Sequence, residues 1–197
     1  VPLDEGSRRA KGGTPDKIAP LHIHLPGETL VIDWWLDEGI ADFKNWSGGQ
    51  SASGAAFALH TALKGLGAVS DVLDRAVSSD AQPYYYDCRA GGNAIDRGFM
   101  GGNLSTLTYA ATELLAFIGL QRFRPVRDPC GGRWTHQYAS WSSPLPVALA
   151  RPLGSCSLPS LEAQRWRFEI TKRDAEYRYK AFGRAEPLHN PYAPLGD

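Results

Sequence analysis

The chain has 197 residues, enough for one domain with a hydrophobic core of its own. Its 21 Lys and Arg residues balance 21 Asp and Glu residues, so the total charge predicts no attraction to nucleic acid or to a membrane. Three widely spaced cysteines do not form a disulfide framework and favour a reducing, cytoplasmic setting, and no apolar run is long enough for a signal peptide or a membrane span.

The chain is expected to begin with a flexible arm and a β-hairpin. Residues 1–20 are rich in Gly, Pro and charge without any periodicity, which is typical of a linker. Leu21–Leu25 alternates with a period of two, and Pro26-Gly27 separates it from the β-branched and aromatic stretch Thr29–Trp35. This arrangement predicts two antiparallel strands joined by a tight turn.

Two amphipathic helices are predicted next. From Ser51 to Leu66, apolar residues recur every three and four positions, and Ser51 or Ser53 supplies the N-cap. The same spacing recurs from Leu107 to Ile118.

Between the two helices, irregular chain is expected over 67–82. A short strand over Pro83–Asp87 and a glycine-punctuated loop as far as Gly102 should follow it.

The last third is predicted to be mainly β. Trp134–Trp141 has the composition of a strand, and a proline-broken segment follows it as far as Pro159. In Gln164–Ile170, aromatic and charged residues alternate, and Tyr177–Lys180 repeats the pattern. These two stretches predict a C-terminal β-hairpin with one aromatic face and one basic face.

Strands and helices are mixed without a regular βαβ rhythm, which predicts an α+β fold. A single domain is expected over 21–185, with an irregular tail over 186–197.

Charge is segregated along the chain although it sums to zero. Acidic residues prevail from Leu21 to Gln50, and arginines prevail from Arg122 to Arg133. Over Ala163–Arg184, seven basic residues stand against three acidic ones and are interleaved with aromatic residues. Such a strand face suits a phosphate backbone with stackable bases. A solvated face whose aromatic residues form the core explains the alternation equally well, because any half-buried hairpin shows it.

Enzymatic chemistry is only weakly indicated. His22 and His24 share one strand face, and Asp33 could approach them across the hairpin, as in a small metal-dependent hydrolase. The sequence has no CxxC pair, no GxSxG motif and no phosphate-binding GxxxxGK[ST] loop. We therefore expect no resident metal or cofactor and no catalytic residue, and keep the hydrolase as an alternative.

Several collinear stretches carry a family resemblance. They are Ile32–Trp35 with Phe43–Ser51, Tyr85–Arg89 with Ala94–Phe99, Glu113–Pro125, and Tyr138–Trp141 with Pro144–Pro152. In this order and spacing the chain resembles the RAMP-superfamily subunit of type I-U (also called I-G) CRISPR-Cas effector complexes, over roughly Leu21 to Lys180. The Asn-Pro-Gly segment with which that family usually opens is absent from this sequence.

The resemblance implies a RAMP/ferredoxin-like, RRM-related antiparallel sheet with two main helices and the C-terminal hairpin. It implies a non-catalytic, cytoplasmic subunit of a Cascade-like complex in antiviral defence, with CRISPR RNA, target DNA and other Cas subunits as partners and no membrane. Guide pairing would read the sequence of the target, while the protein holds backbone and shape.

The residues expected to contact nucleic acid are mostly basic and lie in four places. They are Lys44, Trp46 and Gln50 before the first helix, Arg89 and Arg97 around the glycine loop, Arg122, Arg124 and Arg127, and the hairpin residues Arg165, Arg167, Lys172, Arg173, Arg178 and Lys180. A purely structural subunit that contacts only protein is a further alternative. In that case arginine substitutions would weaken assembly without changing the salt dependence of nucleic-acid binding.

Overall fold

A computed structural model describes residues 20–37, 42–46, 51–66, 70–79, 84–89, 106–158, 163–172 and 180–188. These residues contain three α-helices and antiparallel sheets, which confirms the α+β class. By internal contacts the chain divides into two compact units where the sequence led us to expect one domain. The first unit is Val1–Gln121 with Lys172–Ala181, and the second is Arg122–Thr171 with Phe182–Asp197.

The first unit opens with the predicted hairpin. Strands β1 (Leu21–Leu25) and β2 (Glu28–Ile32) pair antiparallel, and Gly27 turns the chain at a φ of +84°, which glycine adopts without steric cost. Strand β2 is shorter than expected, because Trp34–Leu36 forms a 3₁₀ turn. The turn brings two consecutive tryptophans into the interior, which the alternating faces of a strand would not do.

Helix α1 (Ala52–Lys64) confirms the first predicted helix. The Oγ of Ser51 accepts the backbone N–H of Gly54 at 2.9 Å, so Ser51 is the N-cap, and Gly65 follows the last helical residue. The small side chains of Ala52 and Ala56 are buried, which allows α1 to approach the second helix of this unit closely.

Strands β3 (Val77–Ser79) and β4 (Thr106–Thr108) form a two-stranded antiparallel sheet that was not predicted. The second helix, α2 (Ala110–Gly119), therefore begins after Leu107, which is in β4 and exposed. The strand predicted over Pro83–Asp87 is wrong in its described part, 84–87, which is irregular.

An aromatic cluster forms the core of the first unit. The rings of Trp34, Trp35, Trp46, Tyr84 and Phe117 are all buried, and the closest pair, Tyr84 and Phe117, stack with centroids 4.6 Å apart. The indole N–H of Trp34 donates to the backbone oxygen of Phe117 at 2.9 Å. This bond satisfies a polar group that would otherwise be costly to bury.

The second unit contains strands β5 (Val126–Arg127), β6 (Thr135–Ser140) and β9 (Glu186–Leu188), and all of β7 (Gln164–Lys172) except its last residue. Strand β6 pairs antiparallel with both β5 and β7, and β7 also pairs with β9. A further strand, β8 (Lys180–Phe182), belongs to the first unit up to Ala181 and to the second from Phe182. Strand β6 confirms the strand predicted around Trp134–Trp141. Strand β9 lies where an irregular tail was expected, and the rest of that tail is outside the described residues, as is the arm before Pro20.

Helix α3 (Val147–Gly154) occupies the segment predicted to be broken by proline. The helix is short and contains Pro152, which lacks the N–H for an intrahelical bond. Leu153 of α3 packs with Ala139 and Ala163 in a small core cluster of this unit.

Strand β7 confirms the predicted alternation. Phe168 and Ile170 are buried, whereas Arg167 and Glu169 on the opposite face are exposed.

Candidate nucleic-acid interface

A buried carboxylate organises the predicted binding region around Arg89. Glu113 lies in the first turn of α2, is fully buried, and accepts the backbone N–H groups of Tyr86 at 3.2 Å and Asp87 at 2.9 Å. The preceding residue, Tyr85, has a φ of +62°, a strained conformation for a bulky side chain. Two successive N–H groups after such a residue form an anion-binding nest, and here the anion is Glu113 itself.

Burial raises the pKa of Glu113 to about 7. The N–H donors of Asp87 and Tyr86 oppose this rise, and the negative charge of Asp87 adds to it. Glu113 was not predicted from the sequence, although an acidic residue within a largely apolar helix was a visible signal.

Arg89 is held by partners within the first unit. Its Nε lies 3.0 Å from Oδ1 of buried Asp87, its Nη2 lies 2.6 Å from Oδ2, and its Nη1 donates to Asp74 at 2.9 Å. The guanidinium also stacks 3.6 Å from the ring centroid of Tyr109. These contacts, led by the bond to Asp87, raise its pKa, and they make Arg89 a clamp for the 84–89 segment. Arg97 is outside the described residues.

The residues predicted around the entrance of α1 are largely interior. Trp46 is only 7% exposed and belongs to the aromatic core. Its ring packs against that of Trp34 and is not accessible for stacking on a base. Lys44 is half-buried, with its Nζ 5.7 Å from the centroid of the Trp46 ring. Gln50 lies outside the described residues.

Lys180 was predicted on an exposed basic strand face, and the structure corrects this placement. It is buried, and its Nζ donates to the backbone oxygen of Asp42 at 2.7 Å. Burial lowers its pKa to about 8; the Asp42 carboxylate opposes the change, whereas the positive charge of Lys44 adds to it.

Two hairpin arginines of the second unit are paired within the protein. Arg165 is half-buried and donates to the side-chain oxygen of Gln137. Arg167 forms an ion pair with buried Asp128, with Nε and Oδ2 2.8 Å apart, while its own side chain stays 45% exposed. Lys172 is the last residue of β7, and its side chain is not among those that the structure describes. Arg173 and Arg178 lie outside the described residues.

The described part of the second unit nevertheless carries a clear excess of positive charge. It holds eight arginines against three acidic residues, whereas the described part of the first unit holds eight acidic residues against six basic ones. Six of the eight arginines are exposed, and we call these the exposed arginines. They are Arg122, Arg127, Arg133, Arg151, Arg167 and Arg184, while the predicted Arg124 is half-buried.

An aromatic residue beside these arginines was missed by the sequence analysis. Phe123 is 44% exposed, between Arg122 and Arg124 in sequence, and its ring centroid lies 6.2 Å from that of half-buried Trp141. The sequence offered no clear signal for its exposure, because Phe168 also lies between two charged residues and is buried.

The metal site considered for His22, His24 and Asp33 finds no support in the described geometry. Nδ1 of His24 is 3.0 Å from the hydroxyl oxygen of Thr29, and Asp33 accepts a hydrogen bond from Gln121 at 2.8 Å. Within the described ranges, no three His, Cys, Asp or Glu side chains are grouped closely enough to hold a metal ion.

Comparisons with known proteins leave the chain without an assigned family. No family model, no curated protein and no solved structure matches it. Among the described residues, no helix combines the length and apolarity needed to cross a membrane.

Proposed function

We propose that this chain is a non-catalytic, nucleic-acid-binding subunit of a CRISPR RNA-guided surveillance complex, and that its fold is a RAMP/ferredoxin-like variant. The family part of this proposal comes from the collinear sequence stretches. The binding part depends on one structural observation, the exposed arginines of the second unit.

The arginine excess matters because a polyanion responds to local rather than total charge. Each phosphate that a cationic side chain neutralises releases counterions, which makes binding depend on salt concentration. Of the three described acidic residues of the second unit, Asp128 already forms an ion pair with Arg167. The described part of the second unit therefore has more arginines than its acidic residues can neutralise.

The experiment compares two double variants in one binding assay. Arg122→Ala with Arg133→Ala removes two exposed arginines of the second unit, and Lys64→Ala with Arg75→Ala removes two exposed cations of the first unit. Affinity for a fluorescent single-stranded RNA is measured between about 50 and 300 mM salt. We expect the first double variant to lower the slope of log affinity against log salt by about one to two, and the control to leave it unchanged.

Equal slopes for both double variants and the wild type would contradict nucleic-acid binding through this unit. Reduced recovery of partner proteins with an unchanged slope would instead favour the purely structural subunit. Purification of the full chain from its native host then tests the family assignment. Co-purified Cas subunits and CRISPR RNA would support it, and their absence would overturn it.

A further inference from the structure

The surface around Phe123 combines an exposed aromatic ring with positive charge. Phe123 follows helix α2 and precedes strand β5, in the second unit. Nine large apolar residues are exposed among the described residues, and Phe123, at 44%, is the only aromatic one.

Contacts within the second unit hold this ring in place. Trp141 is partly buried and packs against the core cluster of Ala139, Leu153 and Ala163. Its ring is inclined at 57° to that of Phe123. A Cβ built on Gly154 would lie 3.3 Å from Cδ1 of Phe123 and 3.7 Å from Cζ3 of Trp141. Because position 154 has no side chain, α3 can approach both rings closely, and it supports the Phe123 ring on one side.

Exposed arginines occur next to Phe123 in sequence and on helix α3. Arg122 is the preceding residue and is exposed. Arg151 is also exposed and lies three residues before Gly154 on α3, so the two positions share a face of the helix. The acidic residues described in this unit lie elsewhere in the sequence: Asp128 follows β5, and the other two are in β7 and β9.

We propose that Phe123 stacks against an unpaired base of a single-stranded nucleic acid, with Trp141 supporting its ring and with Arg122 and Arg151 binding the adjoining phosphates. This inference depends on the proposed function and specifies its ligand as single-stranded. A base within a duplex already stacks on both neighbours, so a protein ring gains this contact only with a base that is unpaired or splayed out.

The test uses two probes of equal charge. One is oligothymidine of about 12 nucleotides, and the other is an abasic deoxyribose-phosphate chain of the same length. We expect the wild type to bind oligothymidine about 5- to 100-fold more tightly than the abasic chain, because base stacking contributes on that scale. Phe123→Leu should lose most of this preference while its salt slope stays unchanged.

Matched variants separate the possible outcomes. Leu149→Ala removes an apolar side chain with the same 44% exposure and should keep the preference. Arg122→Ala with Arg133→Ala should weaken binding to both probes. Phe123→Leu keeps an apolar side chain beside Gly154, and an unchanged melting temperature will verify that it folds.

Four results would overturn the inference. If the wild type binds both probes equally, or if Phe123→Leu keeps the preference, base stacking at Phe123 is wrong while nucleic-acid binding stands. If the wild type binds neither probe nor RNA, the proposed function fails as well. A Phe123→Leu variant that binds both probes normally but no longer captures a Cas subunit would assign the ring to a protein contact.

Discussion

Replacing Glu113 by Gln tests whether this buried carboxyl group governs the pH dependence of folding stability. Its two oxygens accept the N–H groups of Tyr86 and Asp87, which hold the strained segment that follows Tyr84. The titratable groups that affect it are the hydroxyls of Tyr84 and Tyr86 and the carboxyl group of Asp87, whose own charge is balanced by Arg89. Gln keeps the size and one acceptor oxygen of Glu113 but cannot ionise.

The sign of the effect follows from the direction of the pKa change. Glu113 has a reference pKa of 4.5 and a pKa of about 7 in the folded protein, so the folded state binds this proton more tightly than the unfolded chain does. Its contribution to stability is complete below about pH 4.5 and is lost as the pH rises through about 7. A rise from 4.5 to about 7 corresponds to a loss of about 3 kcal/mol.

Urea unfolding followed by circular dichroism, from about pH 4.5 to about pH 8, measures this loss. The wild type should lose about 3 kcal/mol more unfolding free energy over this range than Glu113→Gln does. All other titratable groups are the same in both proteins, so the difference between the two curves isolates Glu113. Parallel curves, or a wild type that gains stability relative to the variant toward pH 8, would refute the argument.

Three further predictions concern other parts of the described structure. Burial lowers the pKa of Lys180 from 10.5 to about 8, so the folded state binds this proton less tightly than the unfolded chain does. The unfolding free energy of the wild type should therefore rise from about pH 8 to about pH 10 and fall again as the pH is lowered. Lys180→Met should flatten this rise in urea titrations. Arg89→Lys loses the bidentate bond to buried Asp87 and should lower the unfolding free energy by about 1–3 kcal/mol; equal stability in urea would contradict the clamp. In Gly183→Ala the new Cβ would lie 2.9 Å from a backbone oxygen of β7, so we expect a lower melting temperature, whereas Gly119→Ala, with nothing within 4 Å, serves as the tolerated control.

The correctly predicted elements are those in which the spacing of apolar residues within the element shows which side chains are buried. Helix α1 with Ser51 as its cap, and strand β7 with its alternating faces, depend on residues close in sequence. Strand β4 was missed because Thr106–Thr108 becomes a strand only by pairing with Val77–Ser79, a partner some thirty residues away. Helix α3 was missed because the prolines between Trp141 and Pro159 were interpreted as breaking the segment, although Pro152 lies inside the helix.

The candidate site was predictable in its charge but not in its partners. Counting residues was enough to find the arginine-rich stretch that contains Arg122. No local pattern indicated that Lys180 would bind the backbone of Asp42, or that Arg167 would bind Asp128, because each pair is distant along the chain. A basic residue contributes to binding a polyanion only to the extent that the fold leaves it exposed.

The distribution of charge between the two units explains how a chain with no net charge can bind a polyanion. In the first unit the described acidic residues outnumber the basic ones, and Arg89 and Lys180 each direct their charge to partners inside that unit. Arginine excess and the exposed ring of Phe123 occur together in the second unit. Among the described residues, the second unit is therefore better suited to attract phosphate and the first to attract a basic protein neighbour, because acidic surfaces repel phosphate and attract positive charge.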